Sequence, residues 1–150
     1  MGKREISHKK PKWNYSNLYD IYSNTPDLLG ERLLKILKWA SDRGALIETD
    51  NIYPAFRLKG KYGKKIMSFW APEGSKEMPG SFYCDVHSSC HGNNEQEAKR
   101  FVDSLNIISL FNYKFDKVDS GRNSSRLLHE LSEEEFIQFI DILDQFCYKD

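Results

Sequence analysis

The residues from Ala55 to Trp70 restrict the fold more than any other part of the chain. Ala55-Phe56-Arg57-Leu58-Lys59 alternates apolar and basic side chains, Gly60-Lys61-Tyr62-Gly63 follows as a turn, and Lys64 to Trp70 returns with Met67 and Phe69 on alternating positions. Period two on both sides of a glycine-bearing turn predicts a β-hairpin with one buried face. Pairing about Tyr62-Gly63 sets Leu58 opposite Met67 and Phe56 opposite Phe69, so the apolar sides agree. Arg57, Lys59 and Lys61 share the other parity and Lys64 and Lys65 continue past the turn, which places five cations between positions 57 and 65.

The flanking segments carry helical periodicity. Trp13, Tyr15, Leu18, Tyr19, Ile21 and Tyr22 form a dense amphipathic aromatic segment, read as a short helix packed on the domain, with an exposed binding surface as the alternative. Thr25-Pro26-Asp27 predicts a helix start: Thr25 caps free amides, Pro26 suits the first helical position and Asp27 complements the positive helix end. Leu29, Leu33, Ile36, Leu37 and Ala40 share one face of that helix, which Gly44 ends. Ala45 to Tyr53 reads as a strand running into an Asp50-Asn51 turn, and Ser81 to His87 as another with Phe82, Cys84 and Val86 on one face. Asn94 and Glu97 resemble a capping pair ahead of Ala98, Phe101, Val102 and Leu105. Ser132 and Glu135 form a capping box ahead of Phe136, Phe139, Ile140, Leu143 and Cys147. The polar stretch Asn112 to Arg126 reads as a long loop.

This order predicts an α+β domain: an antiparallel meander sheet of three to four strands, covered on one face by an N-terminal helix and two C-terminal helices. Residues 1–12 hold Lys3, Arg4, Lys9, Lys10 and Lys12 against Glu5 and read as a flexible basic arm, leaving 13–150 as a single domain. With 150 residues, 39% of them hydrophobic, such a chain buries roughly two-thirds of its unfolded surface and needs neither metal nor disulfide to hold together. Twenty-two basic residues balance twenty-two acidic ones, which excludes a histone-like polycation and an acidic solvating chain. An odd set of cysteines, Cys84, Cys90 and Cys147, and an N-terminus without an apolar stretch point to a reducing, cytoplasmic setting. No apolar run approaches the ~20 residues of a membrane span.

Leu-Leu-Lys-Ile-Leu-Lys-Trp-Ala, Ala55-Phe56-Arg57-Leu58, the glycine hairpin with Phe69-Trp70, Leu105-Asn106-Ile107-Ile108 and the closing Leu131-Ser132-Glu133-Glu134-Glu135-Phe136 through Ile142-Leu143-Asp144 occur in one order. Over roughly residues 31 to 147 this pattern of core and turn positions resembles an uncharacterised bacterial α+β domain found alone or attached to other modules. The resemblance implies the fold and brings no catalytic residues with it.

Three constellations bear on chemistry. Cys84, His87, Cys90 and His91 concentrate thiolate and imidazole groups of the kind zinc accepts. Their spacing matches no paired-knuckle template, and Cys84 and His87 would point to opposite faces of a regular strand, so they read as a buried cysteine and a polar strand end. Asp85 with Glu97-Ala98-Lys99 supplies the residue types of a metal-dependent nuclease, but Glu97 and Lys99 face different directions at a helix start. Cys90 or Cys84 with His129 would be a nucleophile and base, with nothing to bring them together. Gly60-Lys61-Tyr62-Gly63-Lys64-Lys65 lacks the spacing and hydroxyl of a phosphate-binding loop. No cofactor is expected and the chain reads as a non-enzymatic module.

The charges are distributed unevenly. Residues 130–150 carry seven acids, Glu130, Glu133, Glu134, Glu135, Asp141, Asp144 and Asp150, against Lys149, opposite in sign to the hairpin and the arm. The first expectation is therefore an accessory domain that contacts nucleic acid weakly through Lys9, Lys10, Lys12, Trp13, Arg57, Lys59, Lys61, Tyr62, Lys64 and Lys65. A solvated hairpin edge guarded by lysines is the plain structural alternative. The second expectation is a protein-interaction module or inhibitor that offers Glu133, Glu134, Asp141, Asp144 and the aromatic N-terminal segment to a basic protein partner. A membrane partner is not expected.

Overall fold

A computed structural model of the chain describes residues 13–50, 54–70, 81–85, 88–111, 113 and 126–147. The basic arm over residues 1–12, His87 and most of the polar stretch 112–126 lie outside them. Among the described residues the fold is α+β, with a five-stranded antiparallel sheet and four α-helices. The strands β1 (Leu46–Glu48), β2 (Ala55–Lys59), β3 (Lys65–Trp70), β4 (Ser81–Cys84) and β5 (Arg126–Leu127) lie side by side in chain order. The helices are α1 (Tyr15–Ser23), α2 (Asp27–Arg43), α3 (Glu95–Leu105) and α4 (Glu133–Cys147).

The hairpin register is the predicted one, with Phe56 opposite Phe69 and Leu58 opposite Met67. Around it the sheet has one strand more than the upper prediction. β5 is two residues long, pairs Leu127 with Ser81 and Arg126 with Phe82, and is too short to leave a periodic signature in a polar stretch. Among the described residues two helices rather than one precede the sheet, because the aromatic segment after Trp13 forms α1 with Leu18 and Tyr22 buried. Asn14 caps it by accepting the Asn17 amide at 2.9 Å. β2 and β3 are interior strands, so the hairpin is not the edge of the sheet.

Phenylalanines stack across the sheet because β2, β3 and β4 each bring one to the same level of the same face. Phe56 and Phe69 lie 5.1 Å apart and Phe69 and Phe82 5.4 Å apart between ring centroids, with interplanar angles of 18° and 25°. From α4, Phe139 closes over the stack 5.3 Å from Phe82, and Phe111 packs 5.5 Å from Phe139. Leu33, Ile36, Leu37 and Ala40 of α2 and Ala98, Phe101, Val102 and Leu105 of α3 are buried as their spacing requires. Burying each such large apolar side chain contributes about 1.5–3 kcal/mol. The opposite face is not open to solvent throughout, since Ser68 and Tyr83 point there and are 3% and 6% exposed.

Local details depart from the sequence pattern where tertiary contacts compete. Thr25 does not cap α2; its hydroxyl donates to Ile21 O at 2.9 Å and closes α1 instead. Pro26 takes the cap position without a side-chain bond, and Asp27 enters α2 with φ of 65°. Gly44 ends the helix in the left-handed region, as predicted. Asn94 accepts the amides of Gln96 and Glu97, and the Ser132–Glu135 box forms in both directions at 3.1 and 2.8 Å. In β3 the register shifts after Leu58: Lys59 pairs with Lys65, so Ile66 is an extra residue that bulges toward the core beside Met67.

Candidate nucleic-acid interface

The bulge decides which way the hairpin presents its charge. In an unbroken ladder Lys65 would share the core side with Met67 and Phe69; the extra residue turns it outward, its ammonium 5.7 Å from the Tyr83 ring centroid and 3.4 Å from Asp85 Oδ2. Arg57 is half-buried between Ile47 and Ser68 on neighbouring strands. Lys61 reaches Glu97 at 3.9 Å, while Lys59 and Lys64 are exposed. The expected ridge of five cations is thus a mixed surface, with two lysines paired to carboxylates and two open to solvent. Lys9, Lys10 and Lys12 lie outside the described residues.

Arg43, Lys59 and Lys61 converge on a cavity of about 300 Å³, with Gly44, Gly60, Gly63 and Cys147 forming the rest of its wall. The turn is docked there by the Lys61 amide, which donates to Phe146 O at 2.8 Å, near the C-terminus of α4. The C-terminus of α2 also ends at this cavity, so the cations stand where two helix dipoles leave negative charge. Arg43 was not legible as part of the hairpin site, because sixteen residues separate it from Lys59 and only the α2–β1 turn brings them together.

Beside the cavity Tyr62 is 46% exposed. Its ring lies against Gly92, where an added Cβ would stand 2.8 Å from Cε1, and Lys61 Nζ is 5.8 Å from its centroid. A tyrosine held from below and open above offers a flat apolar surface next to cations. Trp13, by contrast, is half-buried and packs on the core, its amide bonded to Thr49 O at 2.8 Å.

The acidic residues divide similarly. Glu133, Glu134 and Asp141 are exposed on α4, with Ile137 between them 52% exposed. Asp144 is engaged internally: it holds Arg43 Nη2 at 2.9 Å and accepts Trp39 Nε1 at 3.1 Å, tying α4 to the end of α2.

The cysteine–histidine cluster is spread rather than gathered. Cys84 faces the core with its thiol pushed up by burial, and Tyr113 beside it is pushed up likewise. Cys90 is half-buried in the 3-10 turn Ser88–His91. His91 is buried, its Nε2 3.0 Å from Asp85 O and its ring centroid 4.9 Å from that of Phe101. Bonding to a carbonyl makes Nε2 the protonated nitrogen of a neutral ring. Burial lowers its pKa, against smaller upward pulls from the Asp85 carbonyl and the charges of Glu97 and Asp85. Among the described residues no three His, Cys, Asp or Glu side chains group as metal ligands; His87 is outside them. Glu97 is taken by Lys61 and Arg100 and Asp85 by Lys65, while Lys99 is exposed. His129 is exposed on the 3-10 turn Leu128–Glu130.

No helix among the described residues is long and apolar enough to cross a membrane. Compared with protein-family models, curated proteins and solved structures, the chain matches none, so the resemblance to a bacterial domain gains no support from them.

Proposed function

We propose that this domain is a non-enzymatic accessory module that contacts nucleic acid weakly through the β2–β3 hairpin. The observation that carries the reading is the convergence of Arg43, Lys59 and Lys61 on one cavity beside the exposed ring of Tyr62. Cations of this kind neutralise phosphates, and an aromatic face accepts an unpaired base. Fluorescence anisotropy with single- and double-stranded oligonucleotides at two salt concentrations tests it. Lys59 is open to phosphate, while Arg43 and Lys61 reach one only by exchanging Asp144 and Glu97, so log affinity for a single strand falls with log salt at a slope between about −0.7 and −2. Absence of binding at low salt overturns the reading.

A second reading rests on Ile137, a large apolar side chain exposed among Glu133, Glu134 and Asp141. An apolar centre with an acidic surround suits a basic protein partner, whose arrival the charges would accelerate. It predicts no intrinsic nucleic-acid affinity, and the anisotropy experiment separates the two.

A further inference from the structure

Arg32, in α2, is 3% exposed and is the one lysine or arginine buried among the described residues. Its Nη1 donates to two carbonyls, Leu128 O at 3.0 Å and Leu131 O at 2.6 Å, and its guanidinium lies 4.8 Å from the Phe136 ring centroid. Both bonds fall on one nitrogen. Nε and Nη2 have no hydrogen-bond partner among the described residues, and no carboxylate comes within 4.0 Å. Holding two carbonyls requires a donor, not a charge, and three of the guanidinium's five N–H donors remain unused.

The same residue lines a groove of about 510 Å³ between α2 and the start of α4. Leu28, Leu34 and Phe136 give the groove an apolar wall, and Leu28 is 37% exposed. Lys35 and Lys38 stand along it, opposed by Glu31 and Glu133.

We propose that this groove binds a carboxylate carried on a hydrophobic residue, gripped side-on by Nε and Nη2 of Arg32 while its apolar part lies on Leu28, Leu34 and Phe136. The side-on edge of a guanidinium presents two parallel donors that match the two oxygens of a planar carboxylate. Fixing Nη1 on Leu128 and Leu131 sets that edge in advance, so little rotamer entropy is lost on binding. A single negative charge suits a lining of three cations and two carboxylates, whereas a dianionic phosphate would meet Glu31 and Glu133 at greater cost. This carboxylate belongs either to a free small acid or to the C-terminus of a peptide.

The test is a titration of the full chain followed by ¹H–¹⁵N NMR, including the Arg32 Nε–H signal. The probes are N-acetyl-leucine, its carboxamide, and an acetylated tetrapeptide ending in leucine with a free carboxylate. The acid should shift Arg32 Nε–H and the Glu133 to Phe136 amides saturably, and the carboxamide should not. A peptide that binds about tenfold tighter than the acid assigns the ligand to a chain terminus, and equal binding assigns it to a small acid. Equal responses to acid and carboxamide, or no saturable response to acid or peptide, overturn the proposal. Arg32→Lys keeps the charge and a donor for the carbonyls but loses the fork, and should weaken acid binding about tenfold; undiminished binding overturns the side-on mode. If that variant does not fold, the comparison of acid with carboxamide on the unaltered protein decides alone.

Discussion

The Tyr62 ring and Gly92 are in mutual contact across the gap between the hairpin tip and the turn before α3, with φ of 73° at Gly92 and room for no side chain there. Gly92→Ala therefore meets two obstacles, the left-handed backbone and the ring. Urea unfolding should show a loss of about 1–3 kcal/mol. In a Tyr62→Ala background the same change should cost only the backbone share, about 1–2 kcal/mol.

Tyr62→Ala should cost stability only about 1 kcal/mol, because the residue is already 46% exposed and packs chiefly on Gly92. If the hairpin contacts unpaired bases, the variant weakens binding to a single-stranded oligonucleotide by about 1–3 kcal/mol and leaves duplex binding alone. Anisotropy with both oligonucleotides reads the difference. Lys59→Gln should weaken both and make the salt slope shallower by less than one.

Asn106 closes the chain after α3 by acting in both directions: its Nδ2 donates to Tyr113 O at 2.6 Å and its Oδ1 accepts the Tyr113 amide at 2.7 Å. Asn106→Asp keeps the acceptor but sets a carboxylate oxygen against a carbonyl. It should destabilise the fold by about 1–3 kcal/mol, at least as much as Asn106→Ala, measured by chemical denaturation at neutral pH.

His91 makes stability depend on pH in a definite direction. Its folded pKa lies below the ordinary 6.5, chiefly through burial, so below that value the unfolded chain takes up the proton more readily. The contribution is fully present above 6.5 and is lost as the pH falls from there to the folded pKa, below which it is constant. Unfolding free energies at pH 7.5 and pH 5.5 should differ in that sense, and His91→Gln should reduce the difference.

Thiol labelling should distinguish the cysteines. Burial raises all three pKa values, Cys147 up to about 12, but only Cys90 has appreciable surface. One thiol per chain should react with a thiol-specific reagent under native conditions and three in denaturant.

The hairpin was legible in the sequence because register follows from alternation alone, and Phe56, Leu58, Met67 and Phe69 took their predicted partners. The buried faces of α2, α3 and α4 were legible for the same reason, as was the Ser132–Glu135 box, whose bonds close within four residues. What the pattern could not convey was set by contacts distant in the chain. Thr25 turned to α1, and β5 formed by pairing with a strand forty-five residues earlier. Arg32 reads as one more polar position on an amphipathic helix, yet its bonds reach 96 and 99 residues away. Asp144, counted as a surface acid, is joined to Trp39 and Arg43 by contacts that no local spacing announces.

The extra residue in β3 makes the polarity of the hairpin a matter of counting rather than of composition. Ile66 adds nothing to the charge, but because it bulges out of the ladder instead of pairing with Lys59, Lys65 stands with Arg57 and Lys59 rather than among the phenylalanines. The same sequence with Ile66 taken into the ladder opposite Lys59 would present a different surface, with Lys65 turned inward. A homologue lacking that residue would carry Lys65 directly before Met67, so plain alternation would keep the lysine outward and only the Ile66 side chain would be lost from the core. Whether this residue bulges or pairs therefore says more about what the hairpin touches than a tally of its basic residues.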